Sequence, residues 1–235
     1  MMTREEYFES LRKLNLKVYM FGKRVENPVD DPVIRPSLNS IGMTYELANQ
    51  PEYEDLMTAT SSLNGQKVNR FTHLHQSTED LVKKVKMLRL LGQKTGSCFQ
   101  RCVGMDANNA VFSTTYEIDQ AHGTNYHENF KKFLNDVQLK DLVVDGAMTD
   151  PKGDRSLSPS KQPDPDCYLH VVERRPDGVV VRGAKAHQTG IVNSHEVLVM
   201  PTIAMKPEDK DYAISFAVPT DTEGIFMIYG RQSCD

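Results

Sequence analysis

Three short stretches of this 235-residue chain hold side chains able to do chemistry. In "GSCFQRCVG", Cys98 and Cys102 stand four apart, and a helix through them would stack both sulfurs on one face within reach of a shared metal. The spacing alone is weak: C-x3-C is neither the C-x2-C of zinc ribbons nor the usual ferredoxin run, and buried cysteine is an ordinary core residue. The second stretch, "MTDPKGDRS", gathers Asp150, Lys152, Gly153, Asp154 and Arg155. Its cationic fork and flexible backbone suit a phosphate or the edge of a flavin ring, and a surface turn held by its aspartates fits the same residues. In the third, "VRGAKAHQTG", an apolar strand ends on Lys185, His187, Gln188 and Thr189 before Gly190, and strand-end loops commonly carry function. A lone histidine there is more often a hydrogen-bonded structural residue than a base. His73 and His75 lack a neighbouring carboxylate motif and receive no metal role. The sequence has no Walker, dinucleotide-binding or nucleophile-elbow signature.

The elements that must position these stretches change character along the chain. Thr3 with Glu6 forms a capping box ahead of a short helix whose apolar face is Tyr7, Phe8, Leu11 and Leu14. Residues 26–39, with Pro28, Pro32 and Pro36, read as an extended surface connector. A helix is expected over 43–57, divided at Pro51. A longer one opens at Ser77, capped with Asp80 and buried along Leu81, Val85, Leu88 and Leu91, with Lys83, Lys84, Lys86 and Arg89 solvated. Beyond Gly146 a loop rich in Pro, Ser, Asp and Gly gives way to β-branched runs. Residues 167–173 and 179–185 flank "RRPDG", a hairpin signal with Gly178 at positive φ, and 196–200, 212–218 and 224–229 are further strand candidates. Helices first and an antiparallel sheet second predict an α+β chain, with an N-terminal helical domain over 1–145 and a β-domain over 146–235. Only "GRQSCD" follows the last strand candidate, which leaves an open sheet edge.

Composition narrows the classes. Hydrophobic residues at 39% and charged residues at 26% support a packed core rather than disorder. Lys plus Arg number 28 against 32 Asp plus Glu, a net charge of -4, so no global basic field draws the chain to nucleic acid. No apolar run approaches the roughly 18 residues that span a bilayer, and no signal-peptide pattern opens the chain, so a cytoplasmic protein with no membrane partner is expected. Cys98, Cys102, Cys167 and Cys234 are too few and too uneven for a secreted disulfide framework and are expected to be reduced.

In this order, "MLRLLGQKTGSCFQRCVGMDA", "VDGAMTDPKGDRS" and "VVRGAKAHQTG" resemble the 4-hydroxyphenylacetate 3-hydroxylase flavoprotein family, in particular its branch of 4-hydroxybutyryl-CoA dehydratases. The resemblance runs along the whole chain, from "RKLNLKVYMFG" to "FMIYGRQSCD". It implies an acyl-CoA-dehydrogenase-like fold of helical domain, β-domain and C-terminal helical bundle, of which this chain matches the N-terminal half. It implies that Cys98 and Cys102 are two of three cysteine ligands of a [4Fe-4S] cluster. The Asp150, Lys152, Gly153, Asp154 and Arg155 loop matches a flavin-binding segment, where Lys152 and Arg155 would hold cofactor or phosphate. Gln188 and Thr189 match positions that contact FAD, Thr189 tuning it by hydrogen bonding. The implied reaction is radical dehydration of a CoA thioester, 4-hydroxybutyryl-CoA, to crotonyl-CoA, with vinylacetyl-CoA isomerisation as a second activity. The remaining cluster ligands and the catalytic acid and base lie in the family's C-terminal half, so activity is expected only with a polypeptide supplying that half, in a homotetramer. Two alternatives stay open: a flavin-dependent aromatic monooxygenase of the same family, and a noncatalytic module that binds through its sheet edge.

Overall fold

The computed structural model describes residues 1–230, and Cys234 lies outside them. Helix α1 (Arg4–Arg12) opens on the expected capping box: Thr3 Oγ1 accepts from the Glu6 N–H at 3.1 Å and the Glu6 carboxylate accepts from the Thr3 N–H at 2.7 Å. Its Tyr7, Phe8 and Leu11 are buried against Leu38, Ile41 and Tyr45. Strands β1 (Val18–Met20) and β2 (Lys23–Val25) form a hairpin. The connector after it departs from expectation. Val29 and Ile34 are buried, and α2 (Arg35–Ala48) starts before Pro36, because a proline in a first turn sacrifices a donor that has no helical partner anyway.

Pro51 separates α2 from α3 (Glu54–Met57), as expected. The hairpin of β3 (Thr58–Thr60) and β4 (Lys67–Asn69) then leads through a 3-10 turn, Arg70–Thr72, to α4 (Thr78–Thr95). Ser77 Oγ caps α4 by accepting from the Asp80 N–H at 3.2 Å. The buried face of α4 is only partly the expected one: Leu91 enters the core and Leu88 packs partly against it as expected, Met87 joins them, and Leu81 and Val85 are 49% and 64% exposed. Helices α5 (Cys102–His122) and α6 (Tyr126–Lys140) follow and pack on each other.

Strand β5 (Val144–Ala147) leaves α6 for the second half of the chain. Next comes the predicted hairpin, β6 (His170–Arg175) with β7 (Gly178–Arg182). Pro176 and Asp177 form its two-residue turn, and Gly178 sits in the ladder opposite Arg175 rather than at positive φ. Strands β8 (Glu196–Val199) and β9 (Phe216–Pro219) complete a sheet of order β5-β8-β9. That sheet is mixed, not antiparallel: β5 and β8 run parallel because a long crossover carrying the β6-β7 hairpin joins them. The last strand, β10 (Met227–Ile228), pairs parallel with β1 and so joins the first sheet.

The two halves meet where α5 crosses β5. A Cβ on Gly104 would lie 1.9 Å from the Val144 carbonyl oxygen, and one on Gly146 would lie 2.4 Å from Val103 Cγ1, so the helix backbone meets the strand backbone at Gly104 and the Val103 side chain packs on the strand at Gly146. A polar relay ties α1 to the same place. The Tyr7 hydroxyl donates to the Asn193 carbonyl at 2.6 Å. The Val143 N–H donates to His195 Nδ1 at 3.0 Å, which puts the imidazole proton on Nε2, facing Ser10 Oγ at 2.7 Å. Among the described residues no helix is long and apolar enough to cross a membrane.

Candidate functional site

The two cysteines converge, though not as one helical stack. Helix α4 stops at Gly96, whose φ of 63° closes it; Cys98 lies in the turn that follows, and Cys102 is the first residue of α5. The chain reverses at Gln100, which holds a left-handed φ of 62°, so that the two thiols face each other across the turn closely enough to shift one another's titration. The interaction with Cys102 pushes the Cys98 thiol down, the Gln100 N–H helping against burial, while the same interaction and burial push Cys102 up. Cys98 is exposed and Cys102 half-buried, whereas Phe99, Gln100 and Arg101 between them are buried.

The other two stretches are stitched into one body beside this turn. The Thr149 carbonyl accepts from the Ala186 N–H at 2.9 Å and from Gln188 Nε2 at 3.0 Å. Lys185 Nζ donates to the Met148 and Met200 carbonyls, both at 2.9 Å, and forms a 2.6 Å ion pair with Asp150, the two side chains only 11% and 12% exposed. Gln162, invisible as a site residue in the sequence, clamps the loop from below. Its Oε1 accepts from the Asp154 N–H at 2.9 Å and its Nε2 donates to the Asp154 carbonyl at 2.9 Å, so a Cβ on Gly153 would strike it at 2.3 Å. Asp154 in turn accepts from the Ser156 N–H and hydroxyl. Asp150, Gly153, Asp154 and Gln188 are thus frame. Lys152, Arg155 and Thr189 are exposed and engage no hydrogen bond or ion pair among the described residues.

Gly190 joins this body to the cysteine turn: at φ 95°, a Cβ there would lie 2.8 Å from that of Gln100. Sequence reasoning also missed Asp145, whose only signal was an acid inside an apolar run. It is 1% exposed on β5, with Oδ2 unpartnered. Burial, opposed by the Gly146 N–H and reinforced by the charge of Cys98, pushes its carboxyl up to about 7.

The donor set can be tested against the implied cofactors. Two soft, facing sulfurs, one of them with a lowered thiol pKa, suit two corners of an iron-sulfur cluster. Among the described residues no group of three His, Cys, Asp or Glu side chains is placed to hold a metal, so the fit is half a site. Two exposed cations and a hydroxyl on a braced loop suit the phosphates and polar edge of a flavin nucleotide.

Comparison with known proteins places the fold. Residues 3–235 match the family model described as 4-hydroxyphenylacetate 3-hydroxylase N terminal. The chain is 70% identical over 235 residues to a 4-hydroxybutyryl-CoA dehydratase/vinylacetyl-CoA-Delta-isomerase of Clostridium aminobutyricum, covering all of this chain and 48% of that protein. An oxygen-tolerant archaeal 4-hydroxybutyryl-CoA dehydratase from N. maritimus superposes with a TM-score of 0.95 at 56% identity, over 99% of this chain and 46% of the other. The FAD-complexed oxygenase component of 4-hydroxyphenylacetate 3-monooxygenase is more distant, with a TM-score of 0.79 at 27% identity over 97% of this chain and 46% of that one. The chain spans about half the length of the relatives it matches. With three chemistry-bearing stretches brought together on that shared fold, the chain belongs to the 4-hydroxyphenylacetate 3-hydroxylase family, over the part described by its N-terminal model.

Proposed function

We propose that this chain is the N-terminal part of a dehydratase that uses FAD and a [4Fe-4S] cluster to convert 4-hydroxybutyryl-CoA to crotonyl-CoA, with vinylacetyl-CoA isomerisation as a second activity. The observation that carries the reading is the facing sulfur pair held against the stitched 148–155 and 185–190 loops, in a chain 70% identical to a relative of that name. Cys98 and Cys102 would hold one side of the cluster, Lys152 and Arg155 the phosphates, and Thr189 the flavin edge, while Asp150, Gly153, Asp154 and Gln188 keep those groups in place. When bound, the flavin supplies one-electron chemistry and the cluster a Lewis-acidic iron, which together answer the problem that the C3 hydrogen of the substrate is not activated by the thioester. A polypeptide supplying the family's C-terminal half would bring the remaining ligands and the acid and base, within a cytoplasmic homotetramer whose helical lobe over 1–145 and β lobe over 146–235 take the acyl-CoA-dehydrogenase-like arrangement.

The test is anaerobic purification of this chain together with a polypeptide carrying the C-terminal half, assayed for bound FAD and iron. Both are expected, and Cys98→Ala or Cys102→Ala should remove iron and leave flavin. Flavin without iron in the unsubstituted assembly sinks the cluster assignment and favours the aromatic monooxygenase reading. Absence of both favours a noncatalytic module.

A further inference from the structure

We propose that Arg101 is the positioning residue of the sulfur pair, an aromatic-caged guanidinium in the helical core that fixes the turn from which Cys98 and Cys102 project. Two arginines are buried to 2% exposure, and they are built differently. Arg70 donates to the carbonyls of Asp55, Leu56 and Thr58 and pairs with Asp80. Arg101 has none of this. Among the described residues its side chain makes one hydrogen bond, Nη1 to Thr44 Oγ1 at 2.9 Å, and no ion pair, and Nη2 is unpartnered. Its guanidinium lies 4.8 Å from the Tyr45 ring centroid and 4.9 Å from that of Phe71.

A weakly hydrated, planar cation is the residue type that tolerates such a cage, and its rings hold it by direction as well as by contact. Buried Asp141 lies within electrostatic reach but makes no ion pair with it, and the location explains why the cation is kept there. Arg101 lies directly between left-handed Gln100 and the first residue of α5. On the far side of Gln100, Phe99 packs on the same Phe71 ring at 5.8 Å. One aromatic wall thus grips the chain on both sides of its unfavourable residue. The Thr44 latch adds a fixed point on α2, and the reversal that makes the sulfurs face each other is set by the helical core.

The inference deepens the ligand-pair reading and rests on it for its purpose, but its test needs no iron. The probe is phenylarsine oxide, which forms two As–S bonds with a reduced dithiol and loses its oxygen as water. The unsubstituted chain is expected to bind it one to one through Cys98 and Cys102, with Cys98→Ser as the baseline. Arg101→Met should lose at least about tenfold in affinity, because the second As–S bond depends on effective concentration. Arg101→Lys, which keeps a cation in the cage, should recover part of that loss. Leu134→Ala, a cavity in the α6 core, controls for general loosening and should bind as the unsubstituted chain does. If Arg101→Met does not fold, Thr44→Val decides the matter by removing the latch alone, with an expected loss of roughly threefold or more. Unchanged capture by folded Arg101→Met, or by Thr44→Val in its place, overturns the proposal, as does an equal loss in Leu134→Ala. Failure of iron loading with arsenical capture intact and Arg101-dependent would instead count against the cluster assignment.

Discussion

At the scale of single residues, Asp145 gives the sharpest pH prediction. Its carboxyl titrates near 7 in the folded chain and in the ordinary carboxylate range when unfolded, so between about pH 4 and pH 7 the folded state alone holds the proton. Stability contributed by the neutral acid is present at the acid end of that window and is lost as pH rises through it. Asp145→Asn, which keeps the shape and cannot ionise, should leave the melting temperature near pH 4.5 almost unchanged and raise stability at pH 8 by about 2–4 kcal/mol. A difference between the two proteins that is constant across that range contradicts the assignment. Cys98, Cys102, Lys152, Arg155 and Thr189 stood out in the sequence by residue type, and the roles proposed for them rest on the family resemblance rather than on spacing. Asp145, Gln162 and the bracing roles of Lys185 and Gln188 were not legible there, since each acquires its meaning from partners in distant turns.

At the scale of elements, the contact of α5 with β5 decides where the cysteine turn sits. Gly104→Ala inserts a methyl group where the Val144 carbonyl already lies, and backbone cannot yield as a side-chain tip can. We expect a loss of about 1–3 kcal/mol, read as a lower melting temperature, because the helix must lift off the strand. A melt unchanged within error would mean that the two backbones are not in contact. The caps of α1 and α4 and the break at Pro51 were legible, being local codes. The buried face of α4 was legible only at Leu88 and Leu91: the stripe through Leu81 and Val85 runs out to solvent, and the neighbouring Met57, Phe71 and Phe99 draw in Met87 instead. Pro36 misled in the same way, since a proline marks a connector and a helix's first turn equally well.

At the scale of the whole molecule, the shift toward strands beyond residue 145 was readable, whereas the hairpins β1-β2 and β3-β4 inside the expected helical region and the return of β10 to the first sheet were not, because strands of three residues carry little pattern and parallel pairing across the chain leaves no local trace. Met227 sits on that return, buried with Leu16, Val18 and Ile34. Met227→Ala should cost about 2–5 kcal/mol and speed hydrogen exchange at the β1 amides, whereas exchange there at the original rate would show that β10 does not hold β1. The pairing of Val18 with Met227 also sets the order of assembly. Its partners are separated by roughly 200 residues, an entropic distance that only prior collapse of everything between can shorten. On the ribosome the β1-β2 hairpin therefore waits with one side unsatisfied until the intervening chain has emerged, and the clasp closes only after it.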